Sequence, residues 1–202
     1  MSLLILEGPD GAGKTTLIDN LKKLQDSVGP EIGTVSHHGA HLGEERIATH
    51  YLQAVYRAFY RYRRLGERRL NVMDRSWLAE PIYGAVMRNG ANRINIAERR
   101  MLERVALGCG AIVVVCLPSV DACVRSFKER RATEYPDSIS KIESLHACYA
   151  GMLAEASSAL PTISYNYEVE TAELLLDRLA PLYEKHHNAG PGIGAWLLTS
   201  NL

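Results

Sequence analysis

The chain has 202 residues, 47% of them apolar, and 23 basic side chains against 23 acidic ones. That is enough for one α/β domain with a sizeable core. No run approaches the roughly 18 apolar residues of a membrane span, and the N-terminus lacks the layout of a signal peptide, so a soluble cytoplasmic protein is expected. In chain order, an apolar run ending at a turn predicts a first strand over 3–8. A helix follows over about 14–24, then a second strand over 34–39 and a long helix over about 44–65. The third strand is expected over 70–74, with helices near 80–87 and 97–107. Residues 111–118 are continuously apolar, as buried parallel strands are, and Ser119 can cap the next helix, which runs to about residue 131. A helix over 139–157, a strand over 162–167 and a helix over about 171–185 complete the pattern before a Gly/Pro-rich, irregular tail. Cys109, Cys116, Cys123 and Cys148 form no C-x-x-C pair and read as reduced core thiols.

GPDGAGKTT, residues 8–16, fits G-x-x-x-x-G-K-[ST], and it sits where a strand ends and a helix begins. Its backbone N–H groups are expected to cradle the phosphates of ATP through Gly8, Pro9, Asp10, Gly11, Ala12, Gly13, Lys14, Thr15 and Thr16. Lys14 is placed to reach the β- and γ-phosphates, and the Thr15 hydroxyl to ligate Mg²⁺. With strands and helices alternating, the expected fold is a P-loop NTPase-type three-layer α/β sandwich with a parallel five-stranded sheet and a helical lid. One kinase domain is expected over 1–187, with the irregular tail over 188–202. A guanine-specific switch would offer N-K-x-D, which is absent. A motor would end a longer Walker-B strand in paired acids, whereas the candidate strand here ends in Asp74-Arg75-Ser76. Asp74, at the carboxyl end of a strand, can hold the metal, and Arg75 can grip a second anion bidentately.

These residues resemble the thymidylate kinase family and, more distantly, the deoxynucleoside kinases. LEGPDGAGKTT is similar to the family's loop, DRSWLAEPIYG to its DR…AYQG segment, LGEERI to its LGE-x-I-R, and SFKERRATEY to its arginine-bearing lid. The resemblance implies that Asp10 contacts the acceptor sugar and that Asp74 is the metal-linked carboxylate. It also implies that Arg75 lies on the acceptor phosphate and Tyr83 near the acceptor base. Some members carry a catalytic arginine in the loop; here it has none, so Arg130 and Arg131, with Arg125 and Lys128 beside them, are the candidate cations on the lid. SHHGAH replaces the family's T-R-E-P-G-G-T, so the acceptor pocket is expected to be rebuilt, with His37 and His38 as candidate lining residues and Glu80 and Arg88 as further acceptor contacts.

The neutral total hides an asymmetry. Residues 46–131 hold 16 Arg and one Lys against seven acids, a balance of +10 that leaves −10 for the rest. Within AVYRAFYRYRRLGERR, Arg57, Arg61 and Arg64 share a helical stripe beside Tyr56 and Tyr60, a pattern that suits a nucleic-acid backbone with unstacked bases and equally a solvated basic helix. A branch of thymidylate-kinase-like phage proteins phosphorylates the hydroxymethyl group of 5-hydroxymethyluracil in DNA, in thymidine hypermodification, and the chain looks compatible with it. If phage-encoded, the protein would work in the host cytoplasm. An alcohol acceptor benefits from a carboxylate to take its proton, for which Asp74, Asp10 and Glu80 are the candidates. The expected function is an ATP- and Mg²⁺-dependent kinase acting on a thymine-like deoxynucleotide, leaning to that base in DNA. A free deoxynucleoside monophosphate kinase is the alternative, and a non-kinase nucleotide-binding module the lesser one. DNA, through the arginine stripe, and a homodimer are the partners left open; no membrane contact is expected.

Overall fold

The computed structural model describes residues 3–24, 31–36, 44–64, 69–130, 138–155 and 158–188. Five strands form one parallel sheet: β1 Leu3–Glu7, β2 Glu31–Ser36, β3 Arg69–Asp74, β4 Ile112–Cys116 and β5 Thr162–Tyr165. Their spatial order is β2-β3-β1-β4-β5, so β1 lies in the middle with β3 and β4 hydrogen-bonded on either side. Every residue of β1 and of β4 is buried, which is why both read as unbroken apolar runs rather than alternating ones. Seven helices are described: α1 Lys14–Lys23, α2 Glu44–Arg64, α3 Ala79–Met87, α4 Ile96–Gly108, α5 Val120–Arg130, α6 Ile139–Ala154 and α7 Ala172–Asn188.

Alternate strand residues feed two cores, one on each face of the sheet. Leu3, Ile5, Met73, Val113 and Val115 pack with Tyr51 and Val55 of α2, Trp77, Leu102 of α4 and Tyr149 of α6. Leu4, Leu6, Val72, Ile112 and Val114 pack on the opposite side with Leu17 and Leu21 of α1 and Leu175 and Leu179 of α7. This is the expected three-layer sandwich, and each fully buried aliphatic side chain in it contributes roughly 1.5–3 kcal/mol by transfer from water. Local chemistry sets the helix starts. Asn95 and Glu98 form a reciprocal capping box at α4, each side chain accepting from the other's backbone N–H at 2.9 Å. The Ser119 hydroxyl accepts from the Ala122 N–H at 3.3 Å, the capping role expected of it. All four cysteines are free thiols, with Cys109, Cys116 and Cys123 buried.

The second strand starts three residues earlier than expected. Its register runs from Glu31 opposite Arg69 to Ser36 opposite Asp74. An edge strand takes its length from the neighbour it pairs with, and β3 begins at Arg69, so the polar Glu31 is drawn into the ladder although the apolar pattern starts later. The fifth strand ends at Tyr165, where Asn166 turns the chain by accepting from the Glu168 N–H. The tail from residue 189 onward and the lid segment 131–137 lie outside the described residues. No helix among the described residues is long and apolar enough to cross a membrane.

Candidate functional site

The loop joins β1 to α1 at the carboxyl edge of the sheet. Gly8 has φ 139° and Gly13 φ 77°, both in the half of conformational space that favours glycine. Gly13 is the residue before the first turn of α1, whose unpaired N–H groups face the loop. Lys14 is buried; its ammonium donates to the carbonyls of Gly8 at 2.9 Å and Pro9 at 2.8 Å. Burial, and then the Arg75 charge, lower it from 10.5 to about 8, with Asp10 and Asp74 opposing the shift.

Arg75 sits at φ 66°, a left-handed conformation that a non-glycine residue adopts at a cost of order 1–3 kcal/mol. Its N–H donates to the Leu6 carbonyl at 2.9 Å, tying the turn after β3 to β1. From there its guanidinium donates to the Gly8 carbonyl at 2.8 Å and pairs with Oδ1 of Asp10. The Tyr83 hydroxyl donates to Oδ2 of Asp10 at 2.6 Å, and its ring lies 4.9 Å beneath the Arg75 guanidinium carbon. Three residues named from the sequence, Asp10, Arg75 and Tyr83, thus form one cluster at the mouth of the loop.

A fourth member was not among the sequence candidates. Glu7 ends β1 with no exposed surface. Its Oε1 accepts from the Ser76 N–H at 2.8 Å and the Ser76 hydroxyl at 2.6 Å, and its Oε2 accepts from the Tyr149 hydroxyl at 3.1 Å. Burial pushes the carboxyl from 4.5 up to about 7, although the Ser76 hydrogen bond and the charges of Arg75 and Lys14 pull the other way. The signal in the sequence is an acid closing an otherwise apolar strand immediately before the phosphate loop.

Asp74 also lies at the sheet edge, and its Oδ1 is buried with no hydrogen-bond partner among the described residues. An orphaned carboxylate oxygen is the donor chemistry a hard dication takes, so Asp74 fits a Mg²⁺ ligand. Glu80 is differently engaged. Only 3% exposed, it accepts from Arg88 Nη2 at 2.9 Å, Arg93 Nε at 2.9 Å, Arg93 Nη2 at 2.8 Å and the Tyr51 hydroxyl at 3.1 Å. Two guanidiniums already neutralise it, so Glu80, Arg88 and Arg93 form one ion-paired group. Arg125 is largely exposed, 3.6 Å from Glu168, and Lys128 is exposed. Arg131, His37 and His38 lie outside the described residues, as do the side chains of Arg61, Arg64 and Arg130.

On the other side of the loop a cavity of about 560 Å³ is lined by Thr16, Asn20 and Lys23 of α1 and by Tyr167, Thr171 and Glu173. It opens beside Gly13, so a nucleotide whose phosphates lie on the loop has room there for its base.

No family model matches the chain, and no curated protein matches it. Among solved structures, the YorR protein of Bacillus subtilis, in complex with phosphorylated GDP, superposes with a TM-score of 0.66 at 19% identity, over 92% of this chain and 98% of that one. Deoxyadenosine kinase from M. mycoides superposes with a TM-score of 0.54 in its dCTP-bound form, at 19% identity and over 89% of this chain and 99% of that one. Its dATP-bound form gives 0.52 at 15% identity, over 88% and 99%. The chain shares its fold with these proteins. In this fold the loop, Asp74, Arg75 and Glu7 all come to one edge of the sheet, because β1 and β3 are neighbours in register, with Leu6 opposite Asp74.

Proposed function

We propose that the protein is an ATP-dependent phosphotransferase that moves the γ-phosphoryl group onto a hydroxyl of a thymine-like deoxynucleotide. The observation that carries this reading is Glu7. A carboxylate offers about four acceptor positions; Ser76 fills two on Oε1 and Tyr149 one on Oε2, which leaves one on Oε2. A group titrating near 7 is well matched to accept a proton at neutral pH. A phosphate acceptor, whose second ionisation lies near 6, has little use for such a base; an alcohol does.

The loop N–H groups and Lys14 hold the donor phosphates. Thr15 and Asp74 would hold Mg²⁺, which when bound neutralises phosphate charge. Asp10, Arg75 and Tyr83 line the acceptor side. The acceptor oxygen bonds to the γ-phosphorus as its O–H bond breaks, the proton passes to Oε2 of Glu7, and the bond to the bridging oxygen breaks to release ADP. Arg130 and Arg131 supply charge as the phosphoryl group moves; losing both should lower kcat by on the order of 10³.

Within that reading the hydroxymethyl group of 5-hydroxymethyluracil in DNA is the acceptor we favour. It is supported by SHHGAH after β2, by the +10 segment, and by Arg57, exposed on α2 beside the exposed Tyr56 and Tyr60. The shared fold with a deoxyadenosine kinase favours a second reading, a free deoxynucleoside or deoxynucleotide acceptor. The test offers γ-labelled ATP to thymidine, deoxyadenosine, dTMP, 5-hydroxymethyl-dUMP and duplex DNA containing 5-hydroxymethyluracil. Label on the hydroxymethyl oxygen in the duplex is expected. Label on a free nucleoside or nucleotide hydroxyl alone removes DNA as the acceptor and keeps the base; label only as dTDP from dTMP removes the hydroxyl reading.

A further inference from the structure

We infer that Arg75 is a positioning residue for the donor: from the turn after β3 its guanidinium braces the phosphate loop before any nucleotide arrives. The inference rests on the reading above that this loop holds the ATP phosphates. Three observations support it. The guanidinium reaches two loop residues at once, Nη1 donating to the Gly8 carbonyl at 2.8 Å and Nη2 to Oδ1 of Asp10. Those residues stand on either side of Pro9, so the side chain spans the first bend of the loop. The same Gly8 carbonyl accepts from the Lys14 ammonium at 2.9 Å, so the brace and the loop lysine share an anchor point. Second, Arg75 is itself held. Its backbone sits at φ 66° with its N–H on the Leu6 carbonyl at 2.9 Å, and the Tyr83 ring lies 4.9 Å from the guanidinium carbon. A left-handed non-glycine backbone persists where its surroundings over-determine it. Tyr83 closes the group by donating to Oδ2 of Asp10 at 2.6 Å. Third, the ion pair stands at the mouth of the loop, the Arg75 and Asp10 side chains keeping 21% and 19% of their surface. Its bonds are stronger there than in open water, and a ligand on the loop can still reach the residues they fix.

A planar guanidinium offers its donors in a fixed fork, so it sets the spacing of its two acceptors, which the point charge of an ammonium does not. Without it, Gly8 and Asp10 lose this tie to the end of β3, and the loop has to be ordered at the moment ATP binds. Ordering at that moment costs free energy and appears as weaker binding. The guanidinium has five N–H groups, and the loop takes two. Arg75 can therefore also meet an acceptor, but its loss is felt by ATP with no acceptor present. A residue that serves the acceptor alone would leave ATP binding untouched.

The experiment measures donor binding without acceptor, by calorimetry with a non-hydrolysable ATP analogue and Mg²⁺, and hydrogen exchange over the loop of the ligand-free protein. Arg75→Ala should weaken the analogue about ten- to a hundredfold, the scale of one hydrogen bond to a charged group. The amides of residues 10–13 should exchange faster, while those of β4 keep their rate. Arg75→Lys keeps the charge but not the fork and should weaken the analogue about three- to tenfold; it decides the question where Arg75→Ala does not fold. An affinity within about twofold of wild type, or unaltered loop exchange, in a variant of wild-type melting temperature overturns the inference. So does a loss confined to KM for the acceptor. Lys14→Ala checks the reading underneath. If it binds the analogue as tightly as wild type, the loop does not hold the phosphates and that reading falls, and loop exchange alone then decides the brace.

Discussion

Glu7 carries a cost that the fold bears all the time. Raising its titration from 4.5 to about 7 corresponds to about 3 kcal/mol between its two protonation states. The folded value lies above the unfolded one, so below about pH 4.5 both states are neutral and the site costs nothing. Between 4.5 and 7 the unfolded chain ionises first and folding stability falls as pH rises; above 7 the full cost remains. Glu7→Gln is therefore expected to stabilise the protein at pH 8 by on the order of 2–3 kcal/mol, with much less gain at pH 5, while lowering transfer by 10²-fold or more. Urea unfolding at the two pH values checks the first half and the labelling assay the second. An equal gain at both pH values would mean that charge on Glu7 is not what the fold pays for. Lys14→Ala should abolish transfer outright with the fold intact by circular dichroism, because the cation on the β/γ-phosphates has no substitute within the loop.

The loop glycines separate two kinds of crowding. A Cβ on Gly8 would lie 2.3 Å from the Cys116 carbonyl oxygen, and β1 and β4 are paired right there, Glu7 opposite Val115, so neither backbone can retreat. Gly8→Ala should cost more than about 3 kcal/mol, beyond the 1–3 of backbone strain alone, and lower the melting temperature sharply. A Cβ on Gly13 would meet the ring of the exposed Tyr167 at 2.8 Å, a side chain rather than a paired backbone. Gly13→Ala should fold, with a raised KM for ATP, and Tyr167→Ala on top of it should recover part of the loss. If the double variant binds ATP no better than Gly13→Ala, the ring is not the obstacle. These elements were legible in the sequence because their signals are local: the loop motif, two apolar strands and a strand ending in DRS lie within short stretches, and their order dictates a parallel sheet. Asp10, Arg75 and Tyr83 could be grouped only through the family resemblance, not through any local signal. Glu7 could not, because what sets it apart is burial and donors that come from 69 and 142 residues away. The pairing of Glu80 with Arg93 escaped for the same reason, since nothing in a run of residues 80–93 says which way the chain folds back.

The +10 segment, residues 46–131, supplies α2, α3 and α4 on one face of the sheet and α5, which packs with α1 and α7 on the other. Some of the arginines are spent internally, Arg88 and Arg93 on Glu80 and Arg99 on Glu103 at 3.0 Å. Arg46 and Arg57 of α2 and Arg100 and Arg104 of α4 are exposed. A net-neutral molecule with exposed arginines along α2 and α4 suits a polyanion that runs across them, whereas a single free nucleotide engages fewer cations. Salt separates the two. Each phosphate contact on duplex DNA contributes a slope of about −0.9 to log affinity against log salt. Four contacts would weaken DNA binding by on the order of 10² between 50 and 200 mM salt, while ATP binding changes far less. Charge reversal of Arg57, Arg61 and Arg64 to Glu should remove up to three of those contacts and flatten the slope by about 2–3. It should leave KM for ATP unchanged, since Arg57 is on α2 and the cavity beside the loop lies between α1 and α7. Fluorescence anisotropy of labelled duplex against salt, in wild type and the triple variant, gives both slopes. A wild-type slope near zero, or an unaltered slope in the variant, would take DNA away from this face and return the acceptor to a free deoxynucleoside or deoxynucleotide at the Asp10–Arg75–Tyr83 cluster.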